Sequence, residues 1–109
     1  MNHIGTIVKI LEIPKRQFIN SNTLVIKFRA KLSQVRKDRV VKLVIWGNLA
    51  TAFLNYYKVN DYILIEGSTS IRENINSNKN KKPLKKVTIT VTKVYPLLLN
   101  SNRLMKKLS

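Results

Sequence analysis

The sequence predicts an all-β domain, a small barrel of five strands with one short helix between the third and fourth. Three observations predict it. Apolar and polar residues alternate with a period of two in several short stretches, as in strands with one buried face. Clusters of Gly, Pro, Asn and Ser separate those stretches. A single stretch, just after a glycine, changes to helical spacing. At 109 residues and 44% hydrophobic, the chain has material for one core and one domain.

The first strand spans Ile4 to Ile13 and is followed by a polar turn region, Pro14-Lys15-Arg16 through Asn20-Ser21-Asn22. The second, Thr23 to Leu32, sets Leu24, Ile26, Phe28 and Ala30 on one face. Val25, Lys27, Arg29 and Lys31 fall on the other. A short basic connection from Ser33 leads to the third strand, Arg39 to Trp46. There Val41, Leu43 and Ile45 point inward, and Val40, Lys42, Val44 and Trp46 point outward.

Gly47 breaks that strand. Asn48 is suited to cap a helix, and the spacing puts Leu49, Ala52, Phe53 and Tyr56 in one stripe. Asn60-Asp61 is a turn. Tyr62 to Ser68 forms the fourth strand, with Ile63 and Ile65 inward, ending at Gly67 and resuming through Arg72. Asn74 to Lys86 reads as a polar, basic loop. Val87 to Tyr95 is the fifth strand, stopped by Pro96. The order β-β-β-α-β-β is that of the OB-fold barrel. We assign residues 1–96 to this domain and 97–109 to a short basic tail.

The net charge is +16, from 21 Lys and Arg against five Asp and Glu. Such a field attracts polyanions, nucleic acid first among them. There are no cysteines and one histidine, His3, so thiolate metal sites, disulfides and cysteine nucleophiles are excluded. No catalytic triad, metal cluster or phosphate-cradling Gly-rich loop is legible. A non-enzymatic chain without a cofactor is expected. No apolar run approaches the roughly 20 residues of a membrane helix, and the N-terminus lacks the pattern of a signal peptide.

Proteins that hold single strands combine a cationic groove with aromatics on which bases stack. Lys27, Arg29 and Lys31 on the second strand, with Lys42 and Trp46 on the third, bring both to one outward face, and no acid offsets the run of charge. Basic connections add Arg36, Lys37 and Arg39 on one side, and Arg72, Lys79, Lys81, Lys82, Lys85 and Lys86 on the other. Trp46 is the candidate stacking residue. Phe28 and Phe53 are assigned to the core, Tyr56, Tyr57 and Tyr62 to packing or a subunit interface, and His3 to a polar position on the first strand. The partner expected is single-stranded DNA. Two alternatives are an RNA-binding OB module and an adaptor, of the kind found in primosomes, whose basic face docks an acidic protein.

The stretch Val44-Ile45-Trp46-Gly47-Asn48-Leu49-Ala50, followed by Tyr56-Tyr57-Lys58 and Asp61-Tyr62-Ile63-Leu64-Ile65-Glu66-Gly67, resembles the bacterial and organellar single-stranded DNA-binding protein (SSB) family. Lys27-Phe28-Arg29, Asn2-His3-Ile4 and Pro14 extend the resemblance over about residues 2 to 95. It implies an OB-fold, a homo-dimer or homo-tetramer joined through the first strand, and DNA wrapped on the surface in replication, recombination or repair. Trp46 falls on a stacking aromatic of the family and Lys42 on a basic contact. Val40 falls where the family often has a stacking tryptophan, so that platform is missing, and Asn74, near another aromatic position of the family, is also a departure. The family's bacterial members end in an acidic tip that recruits partner enzymes. This chain ends Lys106-Lys107-Leu108-Ser109, which resembles the small tailless relatives and implies no such recruitment. Its Lys, Asn and Ile usage and short length suit a plastid origin, and the setting expected is the plastid or the cytoplasm and nucleoid.

Overall fold

The computed structural model describes residues 2–33, 39–74 and 84–97, with the backbone alone at 72–74 and 84–85. Its elements are β1 (His3–Ile10), β2 (Lys15–Ile19), β3 (Thr23–Leu32), β4 (Arg39–Trp46), α1 (Gly47–Tyr56), β5 (Tyr62–Asn74) and β6 (Leu84–Pro96). The sheet runs β1-β5-β6-β4-β3-β2, and β1 also pairs with β3. That last pairing closes a ring of five strands, β1-β5-β6-β4-β3. Only β4 and β6 run parallel; the other pairs are antiparallel. Closure removes the open edges of a flat sheet. The predicted five-stranded OB-fold barrel is the fold observed.

The sixth strand, β2, lies outside the ring, on the edge of β3. It occupies what the sequence presents as a turn region. Lys15, Arg16, Gln17 and Phe18 are all exposed, so no period of two marks it. Its order comes from hydrogen bonding to β3 between Lys15/Lys27 and Ile19/Thr23. Asn20 and Ser21 turn the hairpin at φ 54° and 61°, a region asparagine enters more readily than most residues. The first strand accordingly stops at Ile10 rather than Ile13.

The inward rows match the alternation. Ile26, Phe28 and Ala30 of β3 pack with Val41, Leu43 and Ile45 of β4, Val8 and Ile10 of β1, Ile63 and Ile65 of β5, and Ile89 and Val91 of β6. The helix covers one end of this core, against β3, β4 and β6. Phe28 and Phe53 stack with centroids 5.0 Å apart, and Tyr57 lies 4.9 Å from Phe53. Burial of each Phe contributes roughly 1.5–3 kcal/mol.

The helix stripe differs from the expected one by a rotation. Ala50 and Phe53 are its buried residues, with Tyr57 continuing the row, while Ala52 and Tyr56 are exposed. The cap also moves. Trp46, extended at φ −111°, ψ 145°, precedes the helix without a side-chain bond. Gly47 turns the chain at φ +66°, so Asn48 is already inside. The barrel chooses which face packs, overriding a ten-residue periodicity too short to be decisive.

The fourth predicted strand does not pause at Gly67. β5 continues through a bulge between Glu66 and Gly67. A Cβ at Gly67 would lie 2.2 Å from the Thr90 carbonyl oxygen, so only glycine lets β5 and β6 approach there. The last strand likewise starts earlier than Val87: Leu84–Lys86, read as the end of a loop, already pair with Arg72–Asn74.

Candidate nucleic-acid interface

The outer face of β3 carries three cations in a row, at positions 27, 29 and 31, and the register sets a second cation opposite each. Lys27 pairs with Lys15 of β2, Arg29 with Lys42 of β4, and Lys31 with Lys9 of β1. Like charges directly opposite one another destabilise a sheet. Arg29 is offset by Glu12, and Lys9 lies over the Tyr62 ring; the register nonetheless gathers six cations on one face, a field that attracts polyanions.

The apolar part of the face lies beside this row. Trp46 stands opposite Val25, and Val44 opposite Lys27. Val25 and Val44, expected to point outward beside the lysines, are buried. Each has a strand neighbour on both sides, Gln17 and Trp46 for Val25, Lys27 and Thr90 for Val44. Trp46 remains 47% exposed and Val40 49%. An indole exposed to that extent beside a cationic row can receive a base on its open ring.

Between β2 and β3 the surface sinks into an open groove lined by Glu12, Lys15, Arg16, Lys27, Arg29 and Lys42. Glu12 is its acid. One carboxylate oxygen, Oε2, accepts the Arg29 backbone N–H at 2.8 Å. The other, Oε1, accepts Arg29 Nε at 3.1 Å. The reason is topological. β3 pairs with β2 as far as Lys27 and with β1 from Ala30 on, so the Arg29 N–H falls in the gap where the partner strand changes. Glu12, in the connection between β1 and β2, fills it, while Leu11 N–H donates to the Arg29 carbonyl at 3.1 Å. The Arg29 N–H holds the Glu12 carboxyl below its usual range; burial opposes it, and the Arg29 guanidinium and Lys15 add smaller contributions to the lowering. Glu12 is thus ionised at neutral pH. The cationic run is therefore not free of acid, as the local sequence suggests; the offsetting charge arrives from 17 residues away.

Of the remaining predicted residues, Lys86 is exposed and lies two positions before Thr88, the β6 partner of Lys42. Arg72 is the backbone partner of Lys86, and Lys85 that of Glu73. Arg39 is exposed at the start of β4, but it shares the row of Val41 and Leu43 rather than that of Lys42. Arg36, Lys37, Lys79, Lys81 and Lys82 lie outside the described residues, as does the tail beyond 97. Lys9 and Lys15 join the candidate face unannounced by motif, and Arg16 lines the groove from the row opposite Ile26. Lys9 was legible as the outward residue between Val8 and Ile10; its Nζ lies 5.8 Å from the centre of the Tyr62 ring. Lys15 and Arg16 were hidden in the supposed turn. His3 is exposed, 3.8 Å from Glu66 on the opposite wall. Among the described residues, no group of three or more His, Asp or Glu could hold a metal ion, and no helix is long and apolar enough to cross a membrane.

No family model matches the chain. Two relatives do. The chain is 34% identical over 110 residues to the "Putative single-stranded DNA-binding protein ycf41" of Trieres chinensis, covering 97% of each. It is 24% identical over 95 residues to the protein of that name in Pyropia yezoensis, covering 87% of this chain and 86% of the relative. Solved structures share the fold. The SSB domain of a Synechococcus protein superposes with a TM-score of 0.68 at 24% identity, covering 87% of this chain and 94% of that one. The second single-stranded DNA-binding protein of Mycobacterium smegmatis gives 0.71 at 20% identity, over 92% and 90%. The small single-stranded DNA-binding protein of Streptomyces coelicolor gives 0.71 at 16%, over 92% and 99%. A closed five-stranded OB barrel, a cationic outer face with one exposed tryptophan, and near full-length similarity to ycf41 together place the chain in the ycf41 group of the single-stranded DNA-binding protein family.

Proposed function

We propose that this protein binds single-stranded DNA without chemistry, on the outer face of β3 and β4, and protects it during replication, recombination or repair. The observation that carries this reading is the set of like-charged pairs Lys15/Lys27, Arg29/Lys42 and Lys9/Lys31. Phosphates lie along the cationic row. One base stacks on Trp46, contributing on the order of 1–3 kcal/mol. With Val40 where the family often has a stacking tryptophan, and Asn74 near another aromatic position, phosphate contacts supply most of the affinity. Binding then falls steeply with salt, by a slope of about 0.7 per phosphate on a single strand. Lys86, two positions before the β6 partner of Lys42, extends the path.

The assembly we propose is a homo-oligomer joined through β1. Among the described residues, His3 to Thr6 pair with β5 alone, since the pairing with β3 begins at Val8 and the Ile7 carbonyl accepts from the Ser33 N–H. Ile7 and Leu64 stand opposite each other on the outer side of the barrel, with Tyr95 next to Leu64 and Tyr62 two positions along β5. That apolar wall and free edge suit a second copy. The ycf41 relatives, the composition and the small size support a plastid setting.

Titration of tryptophan fluorescence with oligo(dT), poly(U) and duplex DNA at two salt concentrations tests the reading. Quenching by oligo(dT), weakened by salt and exceeding that by duplex, is the expected result. Tighter binding to RNA would favour the RNA module. No binding at low salt, with oligomerisation retained, would favour an adaptor for an acidic protein.

A further inference from the structure

Glu12 is the one acid in a groove lined otherwise by five cations, Gln17 and Phe28. Its two oxygens are both spent on Arg29, one on the backbone and one on Nε, with the Arg29 side chain 65% exposed and that of Glu12 31%. Resting on the reading above, we propose that Glu12 is a built-in competitor for phosphate, which occupies Arg29 and limits how tightly the groove holds a polyanion. A carboxylate and a phosphate ask for the same donors of a guanidinium. Here the carboxylate is tethered and always present, so a phosphate meets a neutral pair where the sequence shows a cation. The strand is then held by Lys15, Lys27 and Lys42 around that point, and it leaves faster than the count of charges implies.

The requirement for an acceptor at the Arg29 N–H explains why some polar side chain must stand here. An uncharged amide also accepts such a bond, so the charge is a separable feature. Glu12→Gln separates the two roles: its carbonyl oxygen keeps the acceptor and its charge is gone. Glu66→Gln makes the same change of charge on the opposite wall and serves as the control.

The test titrates wild type, Glu12→Gln, Glu66→Gln, Arg29→Ala and the double variant Glu12→Gln/Arg29→Ala with oligo(dT) over a range of salt. Glu12→Gln is expected to tighten binding about three- to tenfold at low salt and to steepen the salt slope by about 0.7, one phosphate's worth on a single strand. Glu66→Gln should change neither appreciably. In the Arg29→Ala background the gain should vanish, because there is no guanidinium to release. Equal or weaker binding by Glu12→Gln overturns the proposal, and so does a gain that survives without Arg29. Should wild type fail to bind oligo(dT), the single-strand reading falls, and elution of the same proteins from heparin carries the test. Later elution of Glu12→Gln than of both Glu66→Gln and the double variant upholds the competitor; co-elution overturns it.

Discussion

Arg29 and Lys42 face each other directly across β3 and β4, and Glu12 closes on Arg29 from the third side. Sheets ordinarily place opposite charges or apolar side chains at such a spacing. Glu12 gives the Arg29 N–H its acceptor, and the polyanion binding proposed above draws on the cations around it.

Stability and binding should therefore move in opposite directions at Lys42. Lys42→Ala removes a repulsion and an exposed side chain. Thermal melting is expected to hold or to rise, by the equivalent of about 0.2–1 kcal/mol. Oligo(dT) affinity should fall, with the salt slope shallower by about 0.7. Melting curves and salt-dependent titrations on one preparation check both.

Trp46 presents the aromatic test. Trp46→Ala should weaken oligo(dT) binding by about 1–3 kcal/mol, while the salt slope stays unchanged because no charge is lost. Trp46→Phe should recover part of the loss. Undiminished affinity in Trp46→Ala, measured by anisotropy of a labelled oligonucleotide, would remove stacking from the account.

Gly67 is a structural test outside the cationic row. An added Cβ meets backbone atoms of Thr90 and Val91, which cannot step aside as a side chain can. Gly67→Ala should destabilise by about 1–3 kcal/mol or more, read as a fall in melting temperature. A melting temperature equal to the parent's would show that β5 and β6 part more easily than the bulge suggests.

Acid should erase the contribution of Glu12. Its carboxyl lies below the ordinary value of 4.5 in the folded protein, chiefly because of the Arg29 backbone N–H. A carboxyl so lowered adds stability that is fully present above the unfolded value and is lost as pH falls through the folded one. The melting temperature of wild type should thus exceed that of Glu12→Gln most clearly above about pH 5. The difference should close as pH drops below 4.5. A gap that is constant with pH would place the stabilisation in packing rather than charge.

Much of this was legible along the chain. A period of two names the faces of a strand from its own residues, so Ile26, Phe28 and Ala30 were recognisable as core, and Lys27, Arg29 and Lys31 as the opposite row. Gly47 marked the end of β4. The exceptions share a cause. Lys15–Ile19 lacks alternation because β3 alone holds it. Val25 and Val44 are buried by neighbours rather than by their own parity. The helix turned its Ala50 and Phe53 stripe inward because Phe28 and the barrel end offered the better contact.

The sequence by itself determined an OB barrel, its core rows, its excess of positive charge and the outward placement of Lys42 and Trp46. Those follow from local alternation and composition, which each residue and its near neighbours decide. Only the tertiary structure decided that each cation at 27, 29 and 31 meets another cation, and that Glu12 is spent on Arg29. These depend on register between strands far apart in sequence. A shift of one residue exchanges every partner and every face, and nothing within a single strand states which partner will lie opposite.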